Sequence, residues 1–262
     1  MLSDPRSERV KGIARLKQKD ARFETGLFLL EGFQGLKELA PHPDLVAEVF
    51  ATEDALSAHP ELFAKLQVEV VAVNDRVMER ISDTKTPQGV VCVVYQLDVD
   101  LDLIINDKPK LVAVLDQVRD PGNAGTILRA ADASGADGIV FSKDSVDLYN
   151  PKLVRSTTGS LFHLPSVIEA DSADSLADLK AAGLQIFAAA GGGRPITEMS
   201  ERLMEPTAWI FGNEAHGLSP ELMDLADEVV GLPIYGSAES LNLATAASVC
   251  LYQSAFAQNR SR

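Results

Sequence analysis

The sequence predicts an α/β protein of two domains, each a sheet with helices between its strands. Three observations carry this. The chain has 262 residues, room for two ordinary domains. Short apolar runs of strand length alternate with segments of helical period along almost its whole length. A charged, proline-punctuated stretch, DVDLDLIINDKPK, separates two such series, so the expected domains are 1–105 and 106–262.

The first series opens with SERVKGIARLKQKDARFETG, where Val10, Ile13 and Leu16 fall at helical spacing and Gly26 releases the strand LFLLEG. FQGLKELA follows as a helix, LVAEVFAT as a strand, EDALSAHPELFAKL as one or two helices, VEVVAV as a strand, NDRVMERIS as a helix and GVVCVVYQL as a strand. The second series begins with KLVAVLD, a buried strand, then the turn QVRDPGNAG and the helix TILRAADASG. DGIVFSK is a strand, PKLVRSTTGSLF a helix opened by Pro151, and LPSVI a strand. SADSLADLKAAG is a helix stopped by Gly183, and the strand LQIFAAA ends at Gly191. TAWIFGNEAHGLSPELMDLAD repeats strand, turn and helix, and the remainder is a strand, a loop and a long terminal helix. Such a doubly wound sheet binds ligands at loops beyond the carboxyl ends of its strands.

Composition narrows the classes. Hydrophobic residues make up 46% of the chain, as in a protein with substantial cores. No apolar run approaches the roughly 20 residues that cross a bilayer, and the amino terminus opens with SDPRSERVK, so the protein is expected in the cytoplasm and off the membrane. Cys92 and Cys250 stand apart, without the neighbours a zinc site shows, and read as two buried thiols; no metal is expected. The net charge of −14 argues against non-specific coating of a polyanion. Residues 1–22, with seven basic and three acidic side chains, are nevertheless net +4, leaving −18 elsewhere. That run fits an RNA-facing patch and a solvated helix face equally well.

Three strand ends combine glycine with small polar side chains: DPGNAGTILRAADASG, FGNEAHGLS and LPIYGSAESLNLATAAS. Glycine lets backbone N–H groups approach a ligand, and a helix amino terminus favours bound oxygen or negative charge. The dinucleotide fingerprint fails, because GNAGTI replaces GxGxxG and no acidic residue ends the next strand. A P-loop is excluded by the absence of GxxxxGK. His216 lies two residues from Glu214, not at the spacing of a zinc helix, and reads as a turn residue.

In order and spacing, these loops resemble the three motifs of the SpoU (TrmH) branch of the SPOUT methyltransferases. The first is carried by Asn123, Gly125 and Arg129, the second by Gly212, Glu214 and Gly217, and the third by Pro233, Gly236, Ser240, Leu241 and Asn242. VRSTTGSLFHLP, with Arg155 and Gly159, resembles the family's connecting segment. The likeness covers 108–262. A weaker one, through RVK, GLFLLEG and TPQGVV around Pro87 and Gly89, links the amino-terminal half to the L30e-like substrate-binding domain. The sequence departs from the family pattern at Ala244 and Ala246, many relatives carrying a serine that follows the LNV step.

The resemblance implies transfer of a methyl group from S-adenosylmethionine to a ribose 2′-hydroxyl in structured RNA, ribosomal RNA ahead of transfer RNA. It also implies a homodimer and a carboxy-terminal domain tied in a deep trefoil knot, which the ordinary rules of chain connection would not produce. The residues it assigns to catalysis are Arg129, Asn123, Glu214, Ser240 and Asn242. Cofactor contacts fall to Gly212, Leu232 and Leu241, with Gly191 and Ile234 nearby, glycine at 212 being expected to leave room for the nucleoside. Arg9, Lys11, Arg15, Arg22 and Arg155 are the expected RNA contacts. A guanidinium has a pKa above about 12, so Arg129 is expected to clamp phosphate and stabilise developing alkoxide rather than act as a base. Asn123 fits a contact to the ribose and a turn-holding role equally. Glu214 is expected to orient Arg129 or Asn242, with a helix-entry acid as the alternative. Ser240 and Asn242 also suit the cap of the last helix. An inactive RNA-binding dimer is the competing reading, against which the intact motif residues count.

Overall fold

The computed structural model describes residues 1–66 and 68–259, and the chain divides into two compact units. The first comprises 1–97 together with 149–162, and the second 98–148 together with 163–262. The cut therefore falls at 97/98, and a segment from the middle of the chain packs with the amino-terminal unit.

In the first unit, helices α1 (Glu8–Arg15) and α2 (Lys19–Thr25) precede β1 (Leu27–Glu31) and α3 (Gly32–Leu39). β2 (Val46–Thr52), α4 (Glu53–Ala58), α5 (Pro60–Phe63), β3 (Val70–Val73), α6 (Asp75–Ile81) and β4 (Val90–Tyr95) follow. The sheet order is β1-β4-β2-β3, antiparallel at β1/β4 and β4/β2 and parallel at β2/β3. Val10, Ile13 and Leu16 are all buried, packing in a core with Phe50, Val77 and Ile81. The single amphipathic helix expected over this stretch is in fact two. Leu16 ends the first, and the Leu16 carbonyl accepts a hydrogen bond from the Arg22 guanidinium at 2.8 Å, which turns the chain before α2 starts.

In the second unit, α7 (Leu101–Asn106) occupies the stretch read as a linker, since Ile104 is an apolar anchor buried against the sheet. Then come β5 (Leu111–Leu115), α8 (Pro121–Ser134) and β6 (Gly138–Ser142). The helix α9 (Pro151–Thr157) belongs to the first unit. The second continues with β7 (Ser166–Ala170), α10 (Ser172–Ala181), β8 (Gln185–Pro195), β9 (Thr207–Phe211), α11 (Pro220–Leu225), β10 (Glu228–Gly231) and α12 (Leu243–Gln258). Its six strands are all parallel, in the order β10-β8-β9-β5-β6-β7. Every residue of β5, β6 and β9 is buried, as central parallel strands covered on both faces must be. β8 does not stop at Gly191 but runs through the glycines to Pro195, pairing with β10 across a register shift. β9 enters the sheet between β8 and β5, and the chain's outward march reverses there, the place where open α/β sheets hold ligands.

Candidate active site

The first motif is not a turn followed by a helix. Asp120 caps α8, its carboxylate accepting from the Asn123 N–H at 2.8 Å, and Pro121 takes the first helical position, where a missing N–H costs nothing. Asn123 and Gly125 thus lie in the opening turns of a 14-residue helix, beside the end of β5. Gln117, on the way from strand to helix, holds φ at +52°, and its carbonyl accepts from the Asn213 side chain at 2.8 Å.

The second motif is a five-residue turn closed at both ends, Asn213 and Gly217 exchanging backbone hydrogen bonds of 3.1 and 2.9 Å. The Asn213 side chain accepts from the N–H groups of Ala215 and His216, so His216 is an exposed turn residue. Inside this turn stands Glu214. Its carboxylate accepts from the backbone N–H groups of Arg119 and Asp120 at 3.2 and 3.0 Å and from Asn123 Nδ2 at 3.2 Å. Asn123 Oδ1 in turn accepts from Asn242 Nδ2 at 3.0 Å. One chain of hydrogen bonds, Asn242 to Asn123 to Glu214, therefore ties all three motifs together. Partial burial pushes the Glu214 carboxyl upward, but the hydrogen bonds from its own backbone, Asn123, Asp120 and Arg119 outweigh it and hold it below the usual range. Glu214 orients Asn242 only through Asn123.

Beside this network lies a cavity of about 570 Å³, within the roughly 300–1,000 Å³ of small-molecule sites. Gly191, Gly212, Leu232, Ile234 and Leu241 all line it, together with Asn123, Glu214, Ser240 and Asn242. The walls are the middle of β8 at Ala189–Gly191 and the carboxyl ends of β9 and β10, closed by the start of α12, where the Asn242 side chain accepts from the N–H groups of Ala244 and Thr245. Ala244 is buried in that first turn. Glycine at 212 answers to the protein's own backbone: a Cβ there would come within 2.6 Å of the Gly217 oxygen and the Leu218 nitrogen. Gly191 is the position where glycine keeps space open, for a Cβ there would meet nothing within 4 Å. Cys250, which also lines the cavity, and Cys92 are buried free thiols, and burial pushes both up to about 12.

Arg129 stands exposed on α8, on the same stripe as Gly122 and Thr126, and does not line the cavity. Among the described residues it has neither an ion-pair nor a hydrogen-bond partner, so its charge is free for a ligand. The basic residues of the first unit differ. Arg9 pairs with Glu48, Lys11 with Glu8, and Arg15 with Glu24, all at the surface. Arg22 is 2% exposed and forms part of the core, which removes it from the RNA-facing set. Arg155 bonds Asp83 at 2.8 Å and lies 3.7 Å from Glu31, whose carboxylate also accepts from the Asp83 and Thr84 N–H groups and the Thr84 hydroxyl.

Two participants, Asn213 and Asp120, are not singled out by the motifs. Both carry local signals: an Asn able to bond backbone two residues on, and an Asp directly before Pro-Gly. Among the described residues no three His, Cys, Asp or Glu side chains group as metal ligands, and no helix is long and apolar enough to cross a membrane.

Known proteins share both units. Residues 110–252 match the SpoU rRNA Methylase family, and residues 7–92 the MRM3-like substrate binding domain. The chain is 31% identical to the 23S rRNA (guanosine(2553)-2′-O)-methyltransferase RlmP of Bacillus subtilis, covering 96% of this chain and 97% of that one. It is 33% identical to a 23S rRNA (uridine(2479)-2′-O)-methyltransferase of Streptomyces viridochromogenes, over 96% and 95% of the two chains. The crystal structure of an AdoMet-bound rRNA methyltransferase from Sinorhizobium meliloti superposes with a TM-score of 0.84 at 31% identity, covering 97% of this chain and 96% of that one.

Proposed function

The chain belongs to the SpoU rRNA methylase family, and from that premise we propose that it methylates a ribose 2′-hydroxyl of ribosomal RNA with S-adenosylmethionine. The observation that carries this reading is the hydrogen-bonded chain Asn242–Asn123–Glu214, which joins the three motifs at the rim of one cavity.

The cavity fits the cofactor. Strand-end backbone at Gly212 and Leu232 faces it, Leu232, Ile234 and Leu241 give apolar surface for an adenosine, and Gly191 leaves room. Bound there, the cofactor supplies an electrophilic methyl carbon on a sulfonium. The protein must then hold the ribose oxygen in line, stabilise the alkoxide left as the 2′-hydroxyl gives its proton to solvent, and let the neutral thioether depart. Arg129 suits the second of these roles, being exposed, unpaired and permanently cationic, and it clamps the neighbouring phosphate. Asn123 is a positioning residue. With both ends of its carboxamide engaged, its rotamer is fixed, and with it the first turn of α8. Glu214 stays ionised as the anchor of that arrangement. Ser240 lies at the mouth, beside the cap of α12.

The RNA reading draws on the amino-terminal match and on Arg9, Lys11 and Arg15, whose surface pairs exchange readily for phosphate. Such work belongs in the cytoplasm. We further read the enzyme as a homodimer, because α12 exposes Val249 and Phe256 on one face with Met204 exposed nearby on the chain that packs against it. The trefoil knot is the expected path of the segment between β10 and α12, given that β9 enters between β8 and β5.

The decisive experiment incubates the pure protein with labelled S-adenosylmethionine and RNA from cells lacking the gene, then maps the 2′-O-methyl position. Label in one nucleotide of 23S RNA is expected. Absence of transfer to any RNA, from a protein that binds the cofactor, would sink the reading in favour of an RNA-binding dimer.

A further inference from the structure

The first unit holds a second cavity, of about 400 Å³, that methyl transfer does not use. Phe33, Met78, Ala55 and Pro87 give it apolar walls, and the Phe33 ring packs on His59 with centroids 4.1 Å apart. Its charged lining has one sign only: Asp54, Asp75 and Glu79, with no Lys or Arg among the described residues that line it. Such a pocket repels phosphate and suits a flat group that presents N–H donors.

Gln88 adds the contrasting function. Its Oε1 accepts from the Phe33 N–H at 3.1 Å and lies so close to Gly32 that a Cβ there would stand 2.9 Å away. The backbone donor thus fixes which end of the carboxamide faces Phe33, leaving the Nε2 hydrogens as the free end. Among the described residues they have no partner. One free donor and several carboxylates, around an aromatic ring, are complementary to the pairing edge of guanine. There an O6 acceptor adjoins the N1–H and N2–H₂ donors, whereas adenine offers a single amino donor beside an acceptor nitrogen.

We propose that this cavity reads one unpaired guanine of the substrate RNA, which stacks on Phe33. Gln88 Nε2 donates to O6, and the carboxylates of Asp54, Asp75 and Glu79 accept from N1–H and N2–H₂. Single-stranded bases are read in this way, by aromatic stacking and edge hydrogen bonds. The proposal rests on the reading that the chain acts on RNA.

The test uses the full chain labelled with methyl-¹³C methionine, where Met78 reports from the cavity wall. The trinucleotide UGU is expected to shift the Met78 resonance saturably, the inosine analogue UIU to bind several-fold more weakly, and UAU to leave it unmoved. With 23S RNA as substrate, Gln88→Ala and Asp75→Asn should each raise KM about tenfold while kcat and cofactor affinity stay as in the wild type. Equal shifts with UGU and UAU, or unchanged KM in both variants, would overturn the pocket while leaving the enzyme reading intact. So would a response to methylguanidinium without one to UGU, which would mark a site for an arginine side chain. If no RNA is methylated but Met78 still discriminates UGU from UAU, the enzyme reading falls and the pocket stands.

Discussion

The polar side chains at the large cavity come from distant parts of the chain and bond to one another, Asn242 to Asn123 across 119 positions and Asn123 to Glu214 across 91. The basic side chains Arg9, Lys11, Arg15 and Arg22 come from one short segment, the first three paired with surface acids and the last bonded in the core. The first arrangement fixes geometry, because Asn123 is bonded on both sides and loses a partner if either neighbour moves. The second leaves individual charges replaceable at the surface, where each pair contributes only about 0–1 kcal/mol. Close placement is thus concentrated at the cavity, and replaceable charge is spread over α1 and α2.

That contrast sets the expected order of effects. Arg129→Ala should cost turnover most, about 10²–10³-fold, as loss of a charge-stabilising group does, while cofactor affinity by calorimetry stays within about twofold. Equal losses in both would place Arg129 at the cofactor instead. Gly212→Val should act the other way. Its side chain must displace the Gly217–Leu218 backbone, so cofactor affinity should fall about tenfold or more, equivalent to about 1.4 kcal/mol. Unchanged binding would show that the turn opens freely.

Glu214→Gln tests the network itself. The Glu214 carboxyl titrates below the ordinary carboxylate range because, against the upward push of partial burial, three neighbours and its own backbone donate to it. A depressed folded-state pKa contributes stability that is complete above the unfolded value of about 4.3 and is lost as pH falls through the folded one. Solvent screens so exposed a carboxylate, which holds the effect to roughly 1 kcal/mol. The variant should therefore melt about 2–4 °C below the wild type at pH 7, as a loss of that size does in a chain of this length. The gap should close as the pH falls below about 4, through the depressed carboxyl pKa. A gap that persists under more acid conditions would trace to packing rather than to charge.

Much of this was legible in residues alone. The strands of the second unit announced themselves as runs of Val, Ile and Ala because both faces of a central parallel strand are buried. The residues assigned to the cofactor do share one cavity, although their spacing could not say that β8, β9 and β10 bring them there. What stayed hidden depends on tertiary context. α7 looked like a linker because charged residues crowd its flanks, and only the burial of Ile104 makes it a helix of the second unit. Arg22 looked like its basic neighbours, because helical spacing does not tell whether a long side chain finds a carbonyl to bond in the interior.

Arg22 and Arg15 give the smallest and most local of these contrasts, and the clearest way to separate structural from RNA-facing charge. Arg22→Ala removes a buried guanidinium and orphans the Leu16 carbonyl, so it should lower Tm by several degrees. Its effect on RNA affinity should vanish once the folded fraction is taken into account. Arg15→Ala breaks one exposed pair with Glu24, 3.4 Å apart, and should leave Tm within about 1 °C. If Arg15 meets a phosphate, the variant should instead reduce the slope of log K against log salt by about 0.7–0.9, one counterion's worth. An unchanged slope for Arg9→Ala, Lys11→Ala and Arg15→Ala together would make the basic run a solvated helix face. Recognition would then have to come from shape and from unpaired bases, as structured RNA permits.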